Sequence, residues 1–209
     1  MTVASAAFLS GARIMPVLTV PSAASAGPLA EALVAGGARC AEVTLRTADA
    51  EHALKAMAAH GGLTLGAGTV LTPEQAERAV AAGARFIVSP GYAADVVAAC
   101  RKLDVPCVPG VATATELMRA LRAGLDTVKL FPAEPLGGIR ALRALAAPFP
   151  HVRFVPTGGI GADLLTDYLT EPAVLAVGGS WMATAAHQKR GAYREIRRLT
   201  AAAVERSMR

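Results

Sequence analysis

Lys129 lies within an apolar segment, Val-Lys-Leu-Phe at residues 128–131. The chain has four lysines, and the other three fall on predicted helices or in the basic C-terminal segment. Lysine is rarely buried without a partner or a chemical task. A buried amine that loses its proton can attack a carbonyl carbon and form an imine. Lys129 is therefore the candidate for covalent catalysis, and a purely structural pair with Glu42 is the alternative.

A second charged segment, residues 42–46, alternates in a way that is typical of a strand. Glu42, Thr44 and Arg46 share one face, and the apolar residues between them share the other, which can pack on helices. A carboxylate and a guanidinium inside a protein are costly unless they are paired or used. Glu42 and Arg46 therefore either form a structural ion pair or act on a substrate.

Glycine-rich turns follow the last two predicted strands. Gly158 and Gly159 come directly after Thr157, and Gly178 lies two residues before Ser180. Glycine lets the backbone approach a ligand closely, and backbone N–H groups in such loops bind phosphate. The sequence therefore predicts a phosphate site at these loops, with two tight turns of no chemical role as the alternative.

Eight apolar runs alternate with Ala-rich helical segments, and this pattern predicts a parallel sheet. Eight such units favour one α/β domain over residues 1–209, a (β/α)8 TIM barrel with eight parallel strands. A short helix near residues 2–10 is expected in the N-terminal segment 1–12, and a basic helix is expected over 185–209. In this fold the active site lies at the carboxyl ends of the strands. The strands are predicted at 14–20, 41–45, 63–67, 85–89, 106–109, 127–131, 152–156 and 174–177. The other helices are predicted at 24–35, 48–60, 73–83, 93–103, 113–123, 139–147 and 162–169.

Composition argues against several other functions. The net charge of +5 arises within residues 185–209, which contain a single aromatic residue. A nucleic-acid-binding patch would have aromatic residues among its basic ones, so a solvated helix face is the favoured interpretation. Three cysteines without a CxxC spacing and four scattered histidines favour reduced thiols and no metal site. The longest uncharged run, residues 14–30, contains three prolines and is a poor membrane span. We expect a cytoplasmic protein that binds no nucleic acid and no membrane.

Seven motifs occur in an order that resembles one enzyme family. The chain is similar, from about residue 13 to 183, to the class I aldolases that cleave 2-keto-3-deoxy-6-phosphogluconate (KDPG) and often also 4-hydroxy-2-oxoglutarate (KHG). The set of seven is far more specific than any one motif. The motifs are EVTLRT (42–47), GAGTVL (66–71), SPG (89–91), PGVATATE (109–116), KLFPAE (129–134), PTGGI (156–160) and GGSW (178–181).

The resemblance implies a catalytic role for several matched residues. Lys129 would form a Schiff base with the C2 carbonyl of the pyruvate unit, and Glu42 would shuttle protons. Arg46 would bind the pyruvate carboxylate through a forked contact. Thr69 would orient the pyruvyl unit, and Phe131 would form a wall that keeps the site dry.

The resemblance also implies a binding site for the distal phosphate and a residue at the entrance. Arg13, just before the first strand, would help to bind substrate at the mouth of the site. The residues expected around the distal phosphate are Thr157, Gly158, Gly159, Gly178 and Ser180.

No metal or organic cofactor is implied by the resemblance, because the covalent imine on Lys129 is the electron sink. The implied partners are pyruvate and a phosphorylated keto acid, in a homotrimeric enzyme. Four alternatives stay open. They are an aldolase for the phosphogalactonate epimer, a metal-dependent aldolase, a different phosphate-binding barrel enzyme such as an isomerase or synthase, and a non-catalytic sugar-phosphate-binding barrel.

Overall fold

Parallel strands position the candidate site. A computed structural model describes residues 6–9 and 11–208 of the chain. The described residues contain nine strands, of which two are separated by a single residue. The strands are β1 (Ile14–Leu18), β2 (Cys40–Thr44), β3 (Thr64–Gly68), β4 (Phe86–Val88), β5 (Cys107–Val108), β6 (Gly110–Val111), β7 (Thr127–Leu130), β8 (Arg153–Phe154) and β9 (Val177–Gly179).

Helices follow nearly every strand. Thr72 and Thr113 cap two of them by accepting a backbone N–H, as their sequence patterns predict. No helix in the described ranges is both long and apolar enough to cross a bilayer. The α-helices are α1 (Ala26–Ala35), α2 (Ala50–His60), α3 (Pro73–Ala81), α4 (Ala94–Lys102), α5 (Ala114–Arg122), α6 (Gly138–Ala146), α7 (Leu165–Leu169), α8 (Ala185–Lys189) and α9 (Tyr193–Ser207). Short 3-10 helices cover Ala6–Leu9, Ala23–Ser25 and Trp181–Ala183.

The strands form a curled parallel sheet in two hydrogen-bonded parts. One part has the order β5-β4-β3-β2-β1-β9, and the other has the order β6-β7-β8. Two isolated parallel bridges, Phe154 to Val174 and Thr157 to Gly178, link the chain around β8 to the chain around β9. Because the pairs are parallel, the carboxyl ends of the strands share one edge of the sheet. This edge is where the sequence predicts the site.

Apolar side chains fill both faces of the sheet. The larger cluster lies between the strands and the helices and includes Val43, Val128 and Tyr168. A smaller cluster lies on the inner face of the curled sheet. It includes Leu9 of the first 3-10 helix and strand residues such as Met15. Strands buried on both faces are nearly continuous apolar runs, which is why the polar residues within them are informative.

The structure corrects the predicted elements in three places. The fifth predicted strand is split at Pro109, which has no N–H to contribute to a ladder. The eighth is later than predicted, because residue 174 forms only a bridge and the strand covers Val177–Gly179. The predicted helix over 185–209 is two helices, α8 and α9, separated at Gly191, whose φ of 61° ends a helix.

The predicted N-terminal helix lies only partly in the described residues. Ala6–Leu9 forms a 3-10 helix, and the rest of the prediction over residues 2–10 falls outside what the structure describes. The side chain of Leu9 is buried against the inner cluster. This short helix therefore covers part of the apolar interior of the sheet.

Candidate active site

Lys129 and Glu42 meet in the interior of the curled sheet. Lys129 lies on β7 and Glu42 on β2, strands that are not hydrogen-bonded neighbours. Lys129 Nζ lies 3.1 Å from Oε1 and 3.2 Å from Oε2 of Glu42. Glu42 is fully buried, and Lys129 is 5% exposed. The same amine lies 5.1 Å from the centroid of the Phe131 ring. The structure therefore brings the predicted nucleophile and the predicted proton shuttle into direct contact.

Two glycines, Gly68 and Gly178, leave space for the side chains of Glu42 and Thr157 on the adjacent segments of the sheet. A Cβ on Gly68 of β3 would lie 2.0 Å from Oε1 of Glu42. A Cβ on Gly178 of β9 would lie 2.2 Å from Oγ1 of Thr157. Both distances are impossible for real atoms, so any side chain at Gly68 or Gly178 would displace a predicted site residue. Gly178 thus supports Thr157 by its small size.

A cavity of about 210 Å³ lies near the Lys129–Glu42 pair, although neither of these two residues lines it. It adjoins the pair through Phe131, whose ring contacts the amine, and through Val17, the register partner of Glu42. A cavity of this size accommodates a small organic acid better than a large ligand. The lining residues are Val17, Thr19, Arg46, Phe131, Thr157, Gly158, Gly159, Ile160, Gly179 and Ser180.

The glycine loop after β8 offers unused hydrogen-bond donors. The carbonyls of Thr157 and Gly158 accept hydrogen bonds from the N–H groups of Ala133 (2.8 Å) and Glu134 (3.0 Å). The C=O and N–H of a trans peptide point in opposite directions, so the N–H groups of Gly158 and Gly159 point away from this segment. Within residues 6–9 and 11–208, neither N–H donates to a protein acceptor. Two free N–H groups beside a cavity are suited to bind an anion.

Arg46 supplies the positive charge of the cavity. It follows β2 by two residues, and its guanidinium forms no ion pair within the described part of the chain. The structural Glu42–Arg46 pair, one interpretation of the sequence, is therefore absent, because Glu42 pairs with Lys129 instead. A free guanidinium can bind a carboxylate through two parallel hydrogen bonds.

The structure does not bring Arg13 to the cavity, which corrects the expectation that it acts at the mouth. Arg13 precedes β1, whereas Val17 and Thr19 near the end of β1 line the cavity. Its guanidinium donates to the carbonyl of Leu169 at 2.7 Å. The charge of Arg13 is thus at the opposite end of the strand and has a structural partner.

Thr69 lies next to the site but not in the lining. It follows Gly68, whose Cα packs against the Glu42 carboxylate, and it has a φ of 57°, a left-handed conformation that is uncommon outside glycine. Its role in orienting the pyruvyl unit stays a prediction.

Sequence reasoning missed four lining residues: Ile160 and Gly179, which lie within two of the seven motifs, and Val17 and Thr19 in the first predicted strand. Thr19 Oγ1 lies 3.2 Å from Thr44 Oγ1, and Thr44 in turn donates to the carbonyl of Leu18 at 2.9 Å. The signal for Val17 and Thr19 was present in the side-chain alternation near the end of the first predicted strand. It was overlooked because neither of these two residues is charged.

Other groups in the described chain are less suited to catalysis. Burial raises the pKa of the Cys40 thiol to about 12, with a further contribution from the charge of Glu42, so Cys40 is a poor nucleophile. A cavity of about 310 Å³ elsewhere is larger, but there Arg143 is paired with Glu171, and Arg153, which also lines it, lies at the amino end of β8. No three His, Cys, Asp or Glu side chains among the described residues could together hold a metal ion.

Comparisons with known proteins match the chain to a known family. The family described as "Aldolase: KDPG and KHG aldolase" matches residues 6–199. A 2-dehydro-3-deoxy-phosphogluconate aldolase of Treponema pallidum (strain Nichols) is 50% identical over 193 residues, 92% of this chain and 92% of that protein.

Solved structures agree with the family match. The KDPG aldolase from Legionella pneumophila, with pyruvate captured at low pH as a covalent carbinolamine intermediate, is 42% identical with a TM-score of 0.90 and covers 94% of this chain and 96% of that chain. The 2-keto-3-deoxy-6-phosphogluconate aldolase of Zymomonas mobilis ZM4 with 3-phosphoglycerate is 43% identical with a TM-score of 0.90, covering 94% and 93%. This chain belongs to the KDPG and KHG aldolase family.

Proposed function

We propose that the protein is a class I aldolase, a lyase that cleaves KDPG to pyruvate and glyceraldehyde 3-phosphate. It also cleaves KHG to pyruvate and glyoxylate. The observation that carries the proposal is the buried contact of Lys129 Nζ with both carboxylate oxygens of Glu42, at 3.1 and 3.2 Å, beside a cavity with unused donors. A nucleophile paired with a base is the arrangement that covalent catalysis requires.

The first half of the reaction forms the imine. Glu42 accepts a proton from the Lys129 ammonium, and the free amine attacks the C2 carbonyl of the substrate. Glu42 then returns a proton to the carbinolamine hydroxyl, which leaves as water. The first transfer is supported by the 3.1 and 3.2 Å between Nζ and the Glu42 oxygens, which is within the reach that general acid–base catalysis requires, and the carbinolamine forms on that same nitrogen.

The second half breaks the bond between C3 and C4. Glu42 removes the proton of the C4 hydroxyl, the C3–C4 bond pair moves into the protonated imine, and the aldehyde leaves. Protonation of the resulting enamine at C3 and hydrolysis of the imine then release pyruvate and restore Lys129. The Phe131 ring beside the amine keeps this sequence out of bulk water.

The two ends of the substrate fit different donors of the cavity. Arg46 binds the pyruvate carboxylate through its free guanidinium. The N–H groups of Gly158 and Gly159 and the hydroxyl of Ser180 bind the phosphate. Thr69 orients the pyruvyl unit next to Glu42.

Cleavage of KDPG, followed as pyruvate release in a coupled lactate dehydrogenase assay, tests the proposal. We expect turnover in EDTA, no turnover in Lys129→Ala, and a lower kcat/KM for the phosphogalactonate epimer. Restoration by divalent metal after EDTA treatment would indicate a metal-dependent aldolase. Preference for the epimer would indicate an aldolase for the phosphogalactonate epimer. Binding of phosphate esters without turnover would indicate a non-catalytic sugar-phosphate-binding barrel.

We also infer a closed eight-stranded barrel in one domain over residues 1–209. The isolated bridges to Val174 and Gly178 support this, since they lie where the two parts of the sheet approach each other. The buried free thiols of Cys40, Cys100 and Cys107 are consistent with a reducing, cytoplasmic location. A homotrimer follows from the family resemblance, and light scattering on the purified protein tests for three times the mass of 21.3 kDa.

A further inference from the structure

The side chain of Glu134 packs against the anion-binding loop without entering the cavity. A Cβ built on Gly159 would lie 2.6 Å from Glu134 Cβ and 3.1 Å from its Cγ, so the two residues are in tight contact. The N–H of Glu134 also donates to the carbonyl of Gly158 at 3.0 Å. Glu134 thus contacts both glycines of the loop, one through its backbone and one through its side chain.

Tyr168 fixes the position of that glutamate. The Tyr168 hydroxyl donates to Oε1 of Glu134, and the whole Tyr168 side chain is buried between α7 and the sheet. Burial raises the pKa of Tyr168, and the hydrogen bond to Glu134 raises it further, so the hydroxyl stays a donor. A rigid aromatic residue in the core therefore determines where the Glu134 carboxylate lies.

The loop needs such support because of its backbone conformation. Gly158 and Gly159 have φ values of 102° and 82°. Glycine populates this region readily, but it also populates other regions, so the two residues alone do not fix the loop. Their N–H groups are aimed at the cavity only while the carbonyls of Thr157 and Gly158 stay bonded to the segment that contains Glu134. Loss of the Glu134 side chain would leave these backbone bonds in place, but it would remove the packing against Gly159 that keeps the loop in a fixed geometry.

We propose that Glu134 and Tyr168 form a positioning pair that holds the N–H groups of Gly158 and Gly159 ready for the distal phosphate. Neither residue contacts the substrate, and the pair acts only on the phosphate end of the site. The inference rests on the proposed function, because it assumes that the glycine loop binds the phosphate. The proposal therefore predicts that changes to the pair alter phosphate affinity and leave imine formation at Lys129 unaltered.

Two measurements on the intact protein test the pair. The first is calorimetric titration with glycerol 3-phosphate, which carries a phosphate but no keto group. The second is the rate at which pyruvate and borohydride modify Lys129. Tyr168→Phe removes one hydroxyl and keeps the ring, Glu134→Ala removes the anchor, and Glu134→Gln keeps an oxygen that can accept from Tyr168.

We expect Tyr168→Phe and Glu134→Ala to weaken glycerol 3-phosphate binding about tenfold, the effect of one lost buried hydrogen bond. Glu134→Gln should stay within about threefold of the unaltered protein, since the acceptor remains. The double variant Tyr168→Phe with Glu134→Ala should be no weaker than Glu134→Ala alone, because both remove the same contact. The rate of Lys129 modification should change less than about twofold in every variant, because the pair does not reach the amine.

Three outcomes would overturn the proposal that Glu134 and Tyr168 form a positioning pair. They are unchanged phosphate affinity in Tyr168→Phe, an equal loss in imine formation and phosphate binding, and no glycerol 3-phosphate binding by the unaltered protein. Failure of the proposed function is distinguishable, since it is the absence of any adduct on Lys129 in the unaltered protein. In that case the titrations would still decide whether the pair supports an anion site.

Discussion

At the residue scale, one buried contact accounts for the chemistry. Lys129 and Glu42 stabilise each other while the site is empty of substrate, because breaking a buried ion pair leaves an uncompensated charge. When a keto acid enters, the same proximity lets the carboxylate take the proton that the amine must lose. Stability and reactivity thus depend on the same two side chains.

Glu42→Gln tests the proton-shuttle role. The amide keeps the size and a hydrogen-bond acceptor for Lys129 but cannot accept the proton, so kcat should fall about 10²- to 10⁴-fold. Steady-state cleavage of KDPG measures the effect, with Glu77→Gln on the exposed face of α3 as the control. Retention of the full kcat by Glu42→Gln would contradict the assignment.

Single residues were predictable from the sequence where a charge stood in an apolar strand. Lys129 and Glu42 are such residues, and the structure brings them together. Arg13 was placed wrongly, because its position just before a strand puts it at the amino end, away from the cavity. Tyr168 was overlooked because no sequence pattern around a tyrosine in a short helix indicates its distant partner, Glu134.

At the element scale, glycines on the neighbouring strands determine where the site residues can lie. Gly68 on β3 is the register partner of Thr44 on β2, and its missing side chain leaves the space that Glu42 occupies. In the same way, the absence of a side chain at Gly178 leaves space for Oγ1 of Thr157. Backbone pairing therefore positions the chemistry as much as the reactive side chains do.

Gly68→Ala tests this dependence. The new methyl group would lie 2.0 Å from Oε1 of Glu42, so the carboxylate must leave its present position beside Lys129. A displacement of about 1 Å can reduce the rate by about 10²-fold, and we expect a fall in kcat/KM of that order. Gly27→Ala is the control, because a Cβ there has no atom within 4 Å and belongs to α1. Equal activity of the two variants would argue against a steric role for Gly68.

The order of the elements was predictable, but some of their bounds were not. Alternating apolar runs predicted the order of the main strands and helices, since a buried parallel sheet requires such runs. The break between β5 and β6 depends on the hydrogen bond that Pro109 cannot make, and the end of α8 depends on the φ of 61° at Gly191. Both are effects of single residues on the backbone that periodicity alone does not resolve.

At the scale of the whole molecule, charge is distributed unevenly. The net charge of +5 arises within residues 185–209, while the rest of the chain is balanced. Arginine is the partner in three of the four ion pairs among the described residues, as in Arg143–Glu171 and Arg198–Glu195. Protonation of these carboxylates at low pH should therefore destabilise the fold.

Acid destabilisation follows from these pairs. The hydrogen bond from Arg143 lowers the pKa of Glu171, and that from Arg198 lowers the pKa of Glu195, below the ordinary value of 4.5. A carboxylate with a lowered pKa in the folded state stabilises the fold fully above its ordinary pKa, and the effect is lost as pH falls through the folded value. Melting temperatures should be level from pH 7 to 5 and fall below about pH 4.5, with a smaller fall in 1 M salt. A melting temperature that is level or rising down to pH 3 would contradict this account.

The most direct test of the central claim is to trap the imine. The protein is incubated with pyruvate and sodium borohydride, and the modified peptide is located by mass spectrometry. We predict a reduced pyruvyl adduct on Lys129 that is absent from Lys129→Ala and from a sample without pyruvate. A folded protein that carries no adduct, or carries it only on other lysines, would contradict the Schiff-base mechanism.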